Sequence, residues 1–108
     1  MPTYNKLVRD NILEIIKAEG LNYNAKILTS DELLVEVKAK MIEEANEFME
    51  AAEKKEAVEE LADILELIHA SLGAYGVDFE ELEAIRKEKK EKRGGFDKAI
   101  YLIEVEDY

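Results

Sequence analysis

Residues 59–72 (EELADILELIHASL) have a helical pattern that is apolar on every side, because Leu61, Ile64, Leu65, Leu67, Ile68 and Leu72 leave no face without an apolar side chain. A helix of this kind must be covered all round, so it belongs at the centre of whatever the chain builds. The same stretch sets Asp63 in its middle, with Glu60 one turn before and Glu66 almost one turn after. An ionised carboxylate taken out of water is costly unless it is paired or holds a metal. The fold therefore has to bring something to these acids.

At 108 residues the chain is one domain's worth, and residues 1–108 are read as a single domain. Its 26 acidic residues against 15 basic ones, a net charge of −11, repel polyanions and argue against a nucleic-acid or anionic-membrane binder. The absence of cysteine removes disulfides, thiolate metal sites and a cysteine nucleophile. No apolar run approaches the ~18 residues that suggest a membrane span, and the N-terminal MPTYNKLVRDN does not resemble a signal peptide. The expectation is a soluble, cytoplasmic protein.

Four helical patterns account for most of the sequence. The first covers roughly residues 6–19, with Leu7, Ile12, Ile15 and Ile16 apolar and Gly20 as its stop. Thr29 and Glu32 have capping-box spacing and open a second helix reaching about residue 53. The third runs over about 56–74, and the fourth begins at Asp78, with Glu81 three residues on, and ends at Gly94-Gly95. Two short segments, 23–28 (YNAKIL) and 99–106 (AIYLIEVE), alternate with period two and are candidates to pair with each other. The expected fold is mainly α, a four-helix bundle with a possible small two-stranded sheet.

On the second helix Glu43, Glu44 and Glu47 lie within about a turn, and Glu44 falls between Met41 and Phe48 at the edge of the apolar arc. On the third, Glu60 and Asp63 are three apart and project from one face. Two helices thus present an acidic pair each. An all-oxygen set of this kind suits Mg²⁺, a hard cation that prefers carboxylate and water ligands and often shares them with substrate phosphates; Mn²⁺ is a possible substitute.

These residues carry a family resemblance. Glu43-Glu44-Glu47 followed by Glu60-Asp63 resembles the signature of the all-α nucleotide pyrophosphohydrolases, the MazG-like superfamily that includes the phosphoribosyl-ATP pyrophosphohydrolases and dimeric dUTPases. YNKLVRDNILEII near the start and KEKRGGFDKAIYL near the end resemble one small branch of it, described as house-cleaning pyrophosphatases. The resemblance covers most of the chain. It implies hydrolysis of a nucleoside triphosphate, or a related nucleotide, to the monophosphate and pyrophosphate, with a helical bundle, an obligate oligomer and Mg²⁺ dependence. It also implies Glu44, Glu47, Glu60 and Asp63 as metal ligands, and Glu43 as a carboxylate that binds metal or orients the attacking water. Either Glu43 or Glu47 then serves as general base. One departure is that members of the branch read Lys-Ile-Pro where this chain has Asn11-Ile12-Leu13.

Cations for a polyphosphate are present despite the acidic balance. Lys40 lies one turn before Glu44, and Lys6 and Arg9 are three apart in the matching N-terminal stretch. In RKEKKEKRGGF, Lys89 and Arg93 are the better phosphate candidates, although cations at a helix C-terminus also serve the helix dipole.

The all-round apolar third helix, in a chain with only four helices, favours a symmetric homodimer. Two other classes stay open. Glu66 and His69 have the Glu-x-x-His spacing of di-iron or di-manganese bundles, but His69 points about 120° away from Asp63. A non-enzymatic acidic helical adaptor would bind no metal through Glu47 or Asp63. Within the preferred class the alternative is a phosphoribosyl-ATP pyrophosphohydrolase of histidine biosynthesis.

Overall fold

The computed structural model describes residues 2–107. It is mainly α, with four helices, α1 (Ile12–Ala18), α2 (Ser30–Glu50), α3 (Lys54–Tyr75) and α4 (Phe79–Arg93). Two compact units are present, Met1–Val77 with α1 to α3 and Asp78–Tyr108 with α4.

The ends of the helices follow local chemistry. At Thr29 the reciprocal capping box is complete, with the Glu32 amide donating to Thr29 Oγ1 at 3.2 Å and the Thr29 amide donating to Glu32 Oε1 at 3.0 Å. Asp78 accepts from the Glu81 amide at 2.8 Å and opens α4. Gly76, at φ 71°, closes α3 in the left-handed conformation that glycine adopts without strain, and the amides of Gly76 and Val77 bond back to the carbonyls of Gly73 and Leu72.

Two expectations are corrected. The first helix begins at Ile12, six residues later than residue 6; residues 6–9 are irregular, and Arg9 among them pairs with Asp63 on α3. The segments 23–28 and 99–106 form no strand among the described residues. Alternation supplies the face of a strand but not its partner, and without one the main-chain groups stay with solvent. Ile27, Tyr101 and Ile103 are correspondingly exposed.

In the first unit α2 and α3 pack as a hairpin joined by the three residues 51–53. Its core is narrow. Among the described residues only Val37 and Leu67 are buried apolar side chains, and the one buried charged residue is Glu44. Glu44 lies seven residues beyond Val37 on α2, and Glu60 lies seven before Leu67 on α3. Seven residues are nearly two helical turns, so the two acids continue the same seam as the two core residues. Carboxylates stand where the next apolar layer belongs.

Candidate functional site

Glu44 and Glu47 on α2 and Glu60 on α3 each offer an oxygen, and the three atoms lie within 4.8 Å of one another. This is the group of metal-type ligands that the described residues bring together. The i,i+3 spacing turns Glu47 towards the side of Glu44, and the short 51–53 connection brings Glu60 opposite. Glu44 is buried, Glu60 is half-buried and Glu47 is exposed, so the group runs from the seam to solvent.

Its electrostatics are unfavourable as they stand. Glu44 Oε2 and Glu60 Oε2 are both buried and neither meets a hydrogen-bond donor. Burial, then the neighbouring Glu60 and Glu47 carboxyls, then the charge of Asp63, push the Glu44 pKa up to about 7. For Glu60 the adjoining Glu44 carboxyl acts downward, but burial and the Glu47 and Asp63 charges outweigh it and the net direction is up. Uptake of a proton by Glu44 relieves part of this crowding. A divalent cation relieves it more fully. The donor set consists of carboxylate oxygens alone, which fits a hard ion such as Mg²⁺ or Mn²⁺, and the two orphaned oxygens are atoms that such an ion would satisfy.

Asp63 is placed differently from the other three expected ligands. Its Oδ1 accepts from Arg9 Nη2 at 2.6 Å, in an ion pair between an irregular N-terminal segment and α3. Beside this pair lies an open hollow of about 250 Å³, bordered by Lys6, Arg9, Lys40, Glu44 and Asp63 together with the apolar side chains of Leu7, Ile12 and Leu67. Lys6 also stands over the Tyr4 ring, 5.8 Å from its centre. Lys40 approaches Glu43 at 3.9 Å and keeps only 21% of its side chain exposed, whereas the Glu43 side chain remains half exposed.

The N-terminal segment, three cations and three acids, Glu44, Asp63 and Glu66, therefore share one depression. The apolar side chains that line it were legible in sequence only as core, since nothing in Leu7, Ile12 or Leu67 distinguishes a pocket wall from ordinary packing. Lys89 and Arg93 belong to α4, in the second unit. There Glu83 takes up Arg86 and Glu88 takes up Lys92, while Lys89 and Arg93 form no ion pair among the described residues. His69 is outside the three-glutamate group, so the Glu66-His69 spacing does not contribute to it.

A helical hairpin that gathers carboxylates from both arms at a buried seam defines a protein able to hold a divalent cation between two helices. The chain belongs to the phosphoribosyl-ATP pyrophosphohydrolase family, whose model matches residues 5–90, and through it to the MazG-like all-α nucleotide pyrophosphatase superfamily. Membership implies a hydrolase acting on a nucleotide pyrophosphate bond. The match includes every residue of the acidic group and of the hollow. No curated protein and no solved structure matches the chain. No described helix is long and apolar enough to cross a membrane.

Proposed function

We propose that the chain hydrolyses a nucleoside triphosphate between its α- and β-phosphates, releasing the monophosphate and pyrophosphate, in a Mg²⁺-dependent reaction that Mn²⁺ also supports. The observation that carries this reading is the pair of buried, unpartnered oxygens on Glu44 and Glu60 next to Glu47, in a chain of this family. Glu44, Glu47 and Glu60 are the residues that hold the ion, with Asp63 available as a fourth. When bound, the ion supplies charge neutralisation at phosphate oxygens and a lowered pKa for coordinated water.

The protein's own groups divide the remaining work. Glu47 and Glu43 are the solvent-facing acids, and one of them takes the proton of the attacking water at a carboxylate oxygen. Lys6, Arg9 and Lys40 border the hollow and meet phosphate oxygens, as point charges from the lysines and a planar donor fork from the arginine. The apolar wall of Leu7, Ile12 and Leu67 limits water around the phosphates and so strengthens each of these interactions.

The working form in this reading is a homodimer. Val35, Ile42 and Met49 on α2, with Val58, Leu61 and Leu65 on α3, are exposed in a chain whose seam buries only two apolar side chains, and a second copy is the cover that a self-complementary helical face calls for. A house-cleaning role, in which the substrate is a non-canonical nucleotide, accords with the N-terminal and Gly-Gly-Phe segments. The family match favours phosphoribosyl-ATP as a second substrate reading, with the same bond type and the same acids.

The test is pyrophosphate release with Mg²⁺ from ordinary and modified nucleoside triphosphates and from phosphoribosyl-ATP, comparing the wild type with Glu60→Gln. Triphosphate turnover abolished in the variant supports the reading. Turnover of phosphoribosyl-ATP alone replaces the substrate, and turnover of nothing in the panel rejects the enzyme.

A further inference from the structure

Three of the four acids expected to hold a metal converge, and the fourth is occupied by a guanidinium. Asp63 Oδ1 and Arg9 Nη2 are 2.6 Å apart, and both residues border the hollow that Glu44, Lys6 and Lys40 also line. Arg9 reaches Asp63 from a segment without regular secondary structure, between Asn5 at a positive φ of 45° and the start of α1 at Ile12. The two side chains keep 57% and 39% of their surface exposed, so the pair is held by one solvent-accessible contact and opens at little cost.

We propose that Arg9 is an exchangeable counter-ion. Without a nucleotide it neutralises Asp63, and when a polyphosphate enters the hollow its guanidinium transfers to phosphate oxygens and frees Asp63 to join Glu44, Glu47 and Glu60. The exchange rests on the function proposed above and adds to it an order of assembly, because the complete acidic set becomes available only with phosphate in place. The chemistry on both sides matches. A guanidinium pairs with carboxylate and with phosphate through the same planar donors, so moving from one to the other loses no bonding type. The Asp63 charge also bears on Glu44, so releasing Asp63 raises the negative field where the cation sits. Arg9 is thus a positioning residue for the metal site and makes phosphate binding and cation binding mutually supporting.

This sign distinguishes the exchange from simple structural support. If Arg9 only holds the N-terminal segment in place, its removal loosens the site and weakens cation binding. If it masks Asp63, its removal strengthens cation binding. The experiment titrates Mn²⁺, observed by its electron spin resonance, into the full-length wild type, Arg9→Gln, Arg9→Lys, Asp63→Asn and the Arg9→Gln/Asp63→Asn double variant, with and without sulfate as a phosphate-like oxyanion at constant ionic strength.

The expected result is that Arg9→Gln binds Mn²⁺ about fivefold more tightly than the wild type, the scale set by one exposed ion pair. Arg9→Lys returns towards the wild type, and the gain disappears in the double variant relative to Asp63→Asn. Sulfate tightens Mn²⁺ binding to the wild type by a larger factor than to Arg9→Gln, in which only Lys6 and Lys40 remain to hold the oxyanion. Equal or weaker binding by Arg9→Gln, or an equal gain in the Asp63→Asn background, overturns the exchange. If the wild type binds Mn²⁺ and hydrolyses nucleotides while either result holds, only the exchange fails. A wild type that neither binds Mn²⁺ nor hydrolyses any nucleotide removes the functional reading along with it.

Discussion

Replacing Glu44 by glutamine, at nearly constant shape, removes a charge that the folded protein holds at a disadvantage. Its pKa is about 7 in the folded chain against 4.5 for a free glutamate. A group whose folded pKa is raised binds its proton more tightly in the folded state, so its contribution to stability is fully present below about pH 4.5 and lost as the pH rises through 7. The difference between the two corresponds to about 3 kcal/mol. The assay is urea unfolding followed by far-ultraviolet circular dichroism, at one protein concentration, at about pH 5 and about pH 8. With a chelator present, the wild type becomes less stable between these values and Glu44→Gln much less so, so the variant is the more stable protein at the higher pH. Saturating Mg²⁺ or Mn²⁺ then stabilises the wild type, by about 2.7 kcal/mol at a hundredfold excess over its dissociation constant, and leaves the variant nearly unmoved. A variant that is less stable than the wild type at both pH values in chelator, or a cation that stabilises both proteins equally, refutes the reasoning.

Further outcomes are expected from the same geometry. Glu43→Gln tests the candidate base outside the three-glutamate group: if Glu43 is the base, kcat falls about a hundredfold or more while Mn²⁺ binds as in the wild type, whereas Glu47→Gln weakens Mn²⁺ binding along with turnover, as measured by steady-state kinetics and titration. Thr29→Ala opens the capping box and lowers the unfolding free energy by about 1 kcal/mol, without changing activity per folded molecule. Gly76→Ala meets no neighbouring atom within 4 Å but forces alanine to φ 71°, for a loss of about 1–2 kcal/mol in the same urea assay. Sedimentation equilibrium reads the oligomer: the exposed Val35 and Ile42 of α2 lead to a dimer that Ile42→Glu dissociates.

The helices were legible because their signals are local. Thr29 with Glu32, Asp78 with Glu81, and Gly20 as a stop each act within a turn or two of the chain, and the structure uses all of them. The unusual setting of Glu44 was legible too, since its place between Met41 and Phe48 already put it on the apolar arc. What could not be read was long-range. Residues 6–9 were expected to open the first helix, yet they lie before its start, Arg9 pairs with Asp63, fifty-four positions away, and all four border the hollow. The same limit applies to 23–28 and 99–106, whose alternation promised strands without specifying what they would pair with. For Asp63 the sequence shows one more ligand beside Glu60, because i,i+3 spacing reports a shared face and says nothing of a cation arriving from elsewhere.

The short 51–53 connection has a kinetic consequence. Glu44 and Glu60 are separated by only sixteen residues, so closing the α2–α3 hairpin, among the cheapest contacts the chain can form, also brings like charges together at its seam. The repulsion is therefore met early on the folding route, before later contacts are present to oppose it. In the function proposed above, a divalent ion taken up between Glu44 and Glu60 would act at that step, so the hairpin would close faster with the ion present than with a chelator.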